Sequence, residues 1–261
     1  MIGLPSINGY PLPIEQRLAG LRQAGFEAVL LWWGLDEAES RRERVRAAHA
    51  QDMHIENVHA GTDNLNALWY PGQSGEQTLA ELLRETEECA EYGVNTMVLH
   101  LTNGKNPPSV TPEGVARLEK LVLLAERSRV RLAFENMRTP SHTEYVLDHF
   151  ASPFVGFCYD SGHHHLWTAE YDWLGKYANR LLAIHLHDNT GAWDAHRIPF
   201  DGAVDWQRVT ERLKTSSYRG AITLEAEFRP DNMYDDMDYD TFLKRALAAG
   251  KRLEDMLNGK I

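Results

Sequence analysis

Cysteine is scarce: Cys89 and Cys158 are the only two in 261 residues, and neither sits in a Cys-x-x-Cys pair. That excludes a disulfide framework and a thiolate zinc site as organising principles, and it makes a reducing, cytoplasmic setting the default. Long apolar runs are missing too. None approaches the roughly 18 residues that a membrane-spanning helix needs, so no membrane partner is expected. The opening MIGLPSINGYPLP has neither a basic n-region nor a long apolar core and predicts no signal peptide. Positive charge is in deficit, with 27 Lys and Arg against 38 Asp and Glu and a formal net charge of −11. Nucleic-acid binders usually show a basic footprint, so nucleic acid is an unexpected partner. No Gly-x-Gly-x-x-Gly or Walker-type loop is present, which leaves a nucleotide-binding open sheet without its phosphate cradle.

What the chain has instead is rhythm. Apolar or β-branched runs predict strands at 1–5, 26–33, 53–60, 95–102, 130–136, 154–160, 181–188 and 221–228. Helix-like stretches separate them. IEQRLAGLRQAG ends on a glycine, and DEAESRRERVRAAHAQ, from residue 36, is highly charged. GEQTLAELLRETEECAEYG and TPEGVARLEKLVLLAERS follow, the latter with Thr111 as N-cap and Pro112 at the first helical position. Shorter helices are predicted at 141–149, 168–178 and 204–214, and a last one near 238–257. Eight strand–helix units at this length predict an α/β fold of the (β/α)8 TIM-barrel type. No linker or low-complexity segment interrupts the pattern, so one domain over residues 1–261 is expected.

Such a barrel presents its chemistry at the C-terminal ends of its strands. The third predicted strand ends at His59, the fourth at His100, the fifth at Glu135 and Asn136, and the sixth at Asp160 followed by His163. The seventh carries His185, His187 and Asp188, and the eighth carries Glu225 and Glu227. One histidine or carboxylate at a strand end has ordinary structural explanations. Six consecutive strands ending this way would aim repelling charges into one poorly solvated mouth, and a divalent cation offsets that cost. Mixed His and carboxylate donors suit Zn²⁺, Mn²⁺, Fe²⁺ or Co²⁺ better than Ca²⁺. Strand parity allows His185 and His187 to face the same side, as it does Glu225 and Glu227, and does not choose between them. The stretch HLHDNTGAWDAH, residues 185–196, therefore decides whether one ion or several belong here.

The ordered set LAFEN, CYDSGH, HLHDN and TLEAE resembles the xylose isomerase-like TIM-barrel superfamily, which includes sugar isomerases, sugar 3-epimerases, inosose dehydratases and endonuclease IV. The resemblance covers essentially the whole chain. It implies a metal held by Glu135, Asp160, His185 and Glu225, with Glu135 and Glu225 doubling as the catalytic acid/base pair. It implies that His163, of the Asp-x-x-His pattern, contacts substrate, and it leaves His187 at a variable position. Endonuclease IV uses the same four positions and five more, which match His59, His100, His163, Asp194 and His196. These five are candidates for further metal or substrate contacts. One divalent ion (Mn²⁺, Zn²⁺, Co²⁺ or Mg²⁺) is favoured, with up to three accommodated by the ligand set.

The expected function is that of an isomerase or epimerase of a sugar or sugar-like polyol, moving a proton next to a carbonyl through a metal-stabilised enediolate. His163, Asn136, Arg138 and Trp33 are the candidate substrate contacts. Trp33 is chosen among Trp32, Trp33, Trp69, Trp167 and Trp193, all near predicted strand ends or mouth loops, because sugars present flat C–H faces. Asp188 is expected to brace the loop after its strand. The rival functions are a multinuclear zinc phosphodiesterase resembling endonuclease IV and a metal-dependent dehydratase of inosose type. Against the nuclease, the strand-three loop AGTDNLNALWYPG has no arginine or lysine. A homo-oligomer is compatible with every one of these readings.

Overall fold

The computed structural model describes residues 1–35, 38–229 and 233–261. Among them, eight strands form one sheet: β1 (Ile2–Pro5), β2 (Ala28–Trp32), β3 (His54–His59), β4 (Thr96–Leu99), β5 (Arg131–Glu135), β6 (Val155–Asp160), β7 (Leu181–His185) and β8 (Ile222–Thr223). They pair in the order β7-β6-β5-β4-β3-β2-β1-β8, every neighbour parallel. Leu186 closes the ring: its N–H donates to Thr223 O at 2.9 Å, and its carbonyl accepts from Glu225 N at 3.0 Å. The fold is a TIM barrel.

The helices are α1 (Ile14–Ala24), α2 (Arg41–Ala50), α3 (Gln73–Tyr92), α4 (Pro112–Ser128), α5 (Pro140–His149), α6 (Ser161–Trp167), α7 (Trp173–Tyr177), α8 (Trp206–Lys214) and α9 (Tyr239–Leu257). Local sequence explains their ends. Thr111 Oγ1 accepts from Gly114 N at 3.2 Å and starts α4. Ser40 and Glu43 form a reciprocal capping box on α2. Gly25 ends α1 with φ 108°, a left-handed conformation open to glycine. Asp36 and Glu37, the first residues of the charged stretch predicted as α2, lie outside the described residues.

Two elements depart from the sequence prediction. The helix expected over 168–178 is confined to α7, and a further short helix, α6, precedes it, because Asp160 caps α6 directly at the strand end by accepting from His163 N at 2.6 Å. Strand β8 is two residues long, not eight. Beyond it the hydrogen bonds go to other segments: Glu227 N donates to His196 O at 2.9 Å and Phe228 N to Asn8 O at 2.8 Å.

Strand alternation sorts the barrel interior into layers. Val98, Ala133, Cys158 and Ala183 form a buried cluster of small residues. Two positions further along the same four strands stand His100, Glu135, Asp160 and His185. The intervening Leu99, Phe134, Tyr159 and Ile184 join the main core. The small layer supports a polar one without filling its space.

Candidate metal centre

At the C-terminal mouth the ligand-type residues converge. One donor atom each from Glu135, Asp160, His185 and Glu225 lies within 4.8 Å of the others. The same holds for three further groups: His59, Glu135 and His185; His100, Glu135 and His163; and His163, His187, Asp194 and His196. Glu135 enters three of the four. All nine residues singled out as metal candidates from the sequence stand in these groups. His187 is the addition, and its parity with His185 was the sequence signal for it.

Several imidazoles are oriented from behind. A carbonyl only accepts, so His59 Nδ1 donates to Ala60 O at 2.8 Å and His196 Nδ1 to Glu225 O at 2.8 Å. His163 Nδ1 donates to Asn136 O at 3.1 Å. Each bond turns the ring so that Nε2 faces the mouth, the arrangement that metal-ligating histidines use.

The facing atoms are close but not hydrogen-bonded. Glu135 Oε1 is 2.9 Å from His163 Nδ1, and Oε2 is 3.3 Å from His185 Nδ1 and 3.4 Å from both His59 Nε2 and His100 Nε2. Yet both Glu135 oxygens, both His185 nitrogens, Asp160 Oδ2, Asp194 Oδ1 and Glu225 Oε2 are buried without a hydrogen-bond partner among the described residues. Buried polar atoms normally have partners. A set of convergent, unpartnered N and O donors fits a divalent cation.

Electrostatics point the same way. Burial pushes the Glu135 carboxyl up, but His100 and His185 outweigh it and hold Glu135 well below the usual carboxylate range. For Asp160 burial again opposes ionisation, and His163 and His187 bring the carboxyl down to about 2. Burial works against charge on His185 and His196, yet Glu225 and Glu135 raise His185 to about 9, and Asp194 and Glu227 raise His196 to about 10. Glu225 goes the other way from Glu135: burial raises it, helped by repulsion from Glu135 and Asp160. Without a cation, protons on His163, His185 and His196 balance the carboxylates. A metal would displace them, so binding would release protons.

A cavity of about 290 Å³ opens above the groups. Its ligand side includes His59, His100, Glu135, His163, His196 and Glu225; its other wall is Pro5, Ile7, Leu30, Leu31 and Trp32. Trp33, the expected sugar platform, does not face this cavity. It is fully buried in the core, with Arg41 Nε donating to its carbonyl at 2.8 Å. Trp32, on the inward parity of β2 with Ala28 and Leu30, takes that place. Asn136 is also withdrawn from the cavity: its amide donates to Asp160 O at 2.9 Å and accepts from Asp160 N at 2.8 Å, which ties β5 to β6. Arg138 sits one layer back. Its guanidinium lies 4.0 Å from the Trp167 ring centre, and Trp167 stacks on His163 at 4.5 Å. At the rim, Arg229 Nε donates to Glu227 Oε2 at 2.9 Å and its Nη1 to Asp194 O at 2.9 Å.

The loop after β7 is braced by Asp188. Its carboxylate accepts from Asn189 N, Phe200 N, Val204 N and Trp206 Nε1 at 2.8 to 3.0 Å. Asp188 and Arg197 also exchange backbone hydrogen bonds at 2.8 Å. This returns Asp194 and His196 over the mouth.

The family model for the xylose isomerase-like TIM barrel matches residues 18–246. The chain belongs to this family. Among curated relatives of this xylose isomerase-like barrel, the rhizopine catabolism protein MocC of Rhizobium meliloti is 27% identical over 96% of this chain and 86% of its own length. The uncharacterized protein y4fM of Sinorhizobium fredii is 34% identical over 49% of this chain, a match that spans 42% of that protein. Among solved structures, a D-psicose 3-epimerase from Clostridium cellulolyticum H10, in crystals with D-tagatose, superposes with a TM-score of 0.78. It is 15% identical, over 98% of this chain and 99% of the other. The IolI protein with a bound zinc atom gives 0.73 at 19% identity, over 100% and 99%. At these identities the structural likeness is one of fold.

Proposed function

We propose that this xylose isomerase-like barrel is a divalent-metal-dependent isomerase or epimerase of a sugar or sugar-like polyol. The observation that carries the proposal is the pair Glu135 and Glu225. They share one ligand group at the floor of the cavity, yet their surroundings push their proton affinities apart. Two carboxylates separated in this way suit a base and an acid. The zinc-bearing IolI relative and the sugar epimerase support the same reading, as does the link of MocC to rhizopine catabolism.

Glu135, Asp160, His185 and Glu225 would hold the ion, with Zn²⁺, Mn²⁺, Co²⁺ and Mg²⁺ as the candidates. When bound, the ion supplies Lewis-acid stabilisation of negative charge developing on a substrate carbonyl oxygen. Glu135, held ionised, takes the proton from the carbon next to that carbonyl. Glu225, on the opposite side of the substrate, returns one to the same carbon or to its neighbour. His163 Nε2 positions a substrate oxygen. Trp32 and the apolar wall pack against the substrate's C–H face and keep water from the exchanging proton.

The test is a metal-replete screen of ketoses, aldoses and inososes in D₂O. A true substrate incorporates solvent deuterium. Glu135→Gln and Glu225→Gln are each expected to lower that exchange by roughly 10³-fold. Exchange at the wild-type rate in either variant removes that residue from its role.

One observation favours a second reading. Glu135 joins three ligand groups, the layout of a multinuclear centre, so a zinc phosphodiesterase is the alternative. The cavity opposes it: its lining basic side chain other than histidine is Arg229, and that is paired with Glu227. Nicking of DNA that carries abasic sites would decide for the phosphodiesterase.

A further inference from the structure

In the proposed reaction His163 Nε2 positions a substrate oxygen, and that task depends on the plane of the ring. Two contacts set the plane. On one edge, His163 Nδ1 donates to Asn136 O at 3.1 Å. On one face, the Trp167 indole is stacked, ring centres 4.5 Å apart and planes 21° from parallel. The Arg138 guanidinium stands over the same indole, 4.0 Å from its centre. The other aromatic neighbours, His100, His187 and His196, meet the His163 ring edge-on at 5.8 to 6.5 Å between centres, contacts that do not fix a plane.

Local sequence produces the arrangement. His163 and Trp167 are four apart on α6 and share a face of the helix. Arg138 follows Asn136 by two residues, so the short loop after β5 reaches the ring twice: through the Asn136 carbonyl and, by way of Trp167, through Arg138. The backbone of α6 is seated against the end of β7. Ser161 Oγ donates to His187 O at 2.8 Å and accepts from His187 N at 3.0 Å. Gly162 meets the His187 ring, where a Cβ would stand 2.0 Å from Cε1. That ring in turn lies flat on His196 of the returning loop, centres 4.0 Å apart.

Arg138 is the telling member. Arg117, buried on α4, gives its N–H groups to Glu76 and to the Leu68 and Tyr70 carbonyls. Arg138 is half-buried, yet among the described residues its guanidinium has neither an ion-pair nor a hydrogen-bond partner. Attraction to the indole face is what holds it.

We propose that Trp167 and Arg138 are positioning residues: Trp167 holds the His163 imidazole with Nε2 toward the cavity, and Arg138 holds Trp167. Both roles rest on the reading of His163 as the partner of a substrate oxygen. Neither side chain lines the cavity, so neither needs to touch substrate. A ring free to swing would misplace that oxygen, and small misplacements slow a reaction severely.

The test uses the full chain, replete with Zn²⁺, as wild type, Trp167→Ala, Trp167→Phe, Arg138→Ala, Arg138→Lys, His163→Gln and the double variant His163→Gln/Trp167→Ala. One readout needs no substrate. The His163 Nδ1 proton gives a downfield imidazole signal in proton NMR, identified by its loss in His163→Gln. Its exchange with water is expected to quicken severalfold in Trp167→Ala, less in Arg138→Ala, and to return toward wild type in Trp167→Phe and Arg138→Lys. The other readout is deuterium incorporation into a substrate found by the ketose, aldose and inosose screen. Trp167→Ala is expected to lower kcat/KM roughly tenfold, and Arg138→Ala by less, with the conservative variants again restoring it. In the His163→Gln background Trp167→Ala should cost nothing further, whereas a tryptophan that only supports the fold would cost there as well. An unchanged proton-exchange rate in Arg138→Ala and in folded Trp167→Ala would overturn the proposal. So would an additive loss in the double variant, or faster exchange with undiminished turnover. Arg138→Ala, at a half-exposed position, keeps the test decisive if Trp167→Ala fails to fold. If no compound in the screen takes up deuterium, the isomerase reading fails, and the NMR comparison still decides whether indole and guanidinium hold the ring.

Discussion

Arg41 on α2 is buried among three carboxylates of α3. Its Nη2 donates to Glu81 Oε1 at 2.7 Å and Glu85 Oε1 at 2.8 Å, its Nη1 to Glu88 Oε2 at 2.8 Å, and its Nε to Trp33 O. At the barrel mouth, by contrast, Glu135 approaches four imidazoles at 2.9 to 3.4 Å, and Glu225 approaches His185 at 3.5 Å, without hydrogen-bond geometry. Both regions concentrate charge away from water. The first satisfies itself except at Glu85 Oε2, because one guanidinium supplies directed donors to each acid. The second does not, and its unpartnered atoms point at a common centre. Hydrogen-bond satisfaction, more than charge or burial, separates a structural ion cluster from a ligand site.

The largest expected effect would break the comparison at the Arg41 end. Arg41→Ala strands three acids and is expected to destabilise the fold by about 4 kcal/mol. The loss should be equal with and without chelator; a loss seen only in metal-loaded protein would make the α2–α3 cluster part of the metal centre. Glu85 sharpens the contrast next. Its Oε2 is unpartnered, and burial raises its carboxyl to about 7 despite Gly61 N and Arg41. Between pH 4.5 and 7 the folded protein retains a proton that the unfolded chain has released, so Glu85 makes stability fall as pH rises through that window. Urea melts across it should show wild type losing roughly 3 kcal/mol relative to Glu85→Gln. Parallel curves for the two proteins would refute the assignment.

At the mouth, chelation is expected to lower stability by about 2.7 kcal/mol when free metal had stood at 100 times its Kd. Arg41→Ala should leave that increment unchanged, and differential scanning calorimetry reads it. The smallest effect concerns the apolar wall. Trp32→Ala should raise KM by roughly tenfold, about 1.4 kcal/mol, with kcat little changed, while Trp33→Ala should act on stability instead. Steady-state kinetics with an identified substrate, beside thermal melts, would expose a reversal.

Much of this was legible in the sequence because strand alternation is simple geometry. Val98 and His100, Ala133 and Glu135, Cys158 and Asp160, Ala183 and His185 are each two apart, so a small residue beneath implies a ligand above. The loop after β7 was legible in part: Asp188 is the brace that was expected. What eluded sequence reading depended on which residues meet across space. Trp32 and Trp33 are adjacent, and the fold puts Trp32 in the cavity wall and Trp33 in the core. Asn136 stands at a strand end as a substrate ligand would, but its amide is bonded to Asp160 of the next strand. Glu227 and Phe228, expected in the eighth strand, gave no sign that their hydrogen bonds go to His196 and Asn8. The place of His187 depends on a loop that returns over it, which periodicity does not encode.

Gly162 and the His187 ring lie against each other from sequence-distant positions, with no room for a methyl group between them. Any lineage that keeps the imidazole is barred from every other residue at 162. A lineage that shrinks position 187 is released from that bar. The two positions should therefore drift as one inherited character, and relatives that have lost the histidine are where the glycine should first be found replaced.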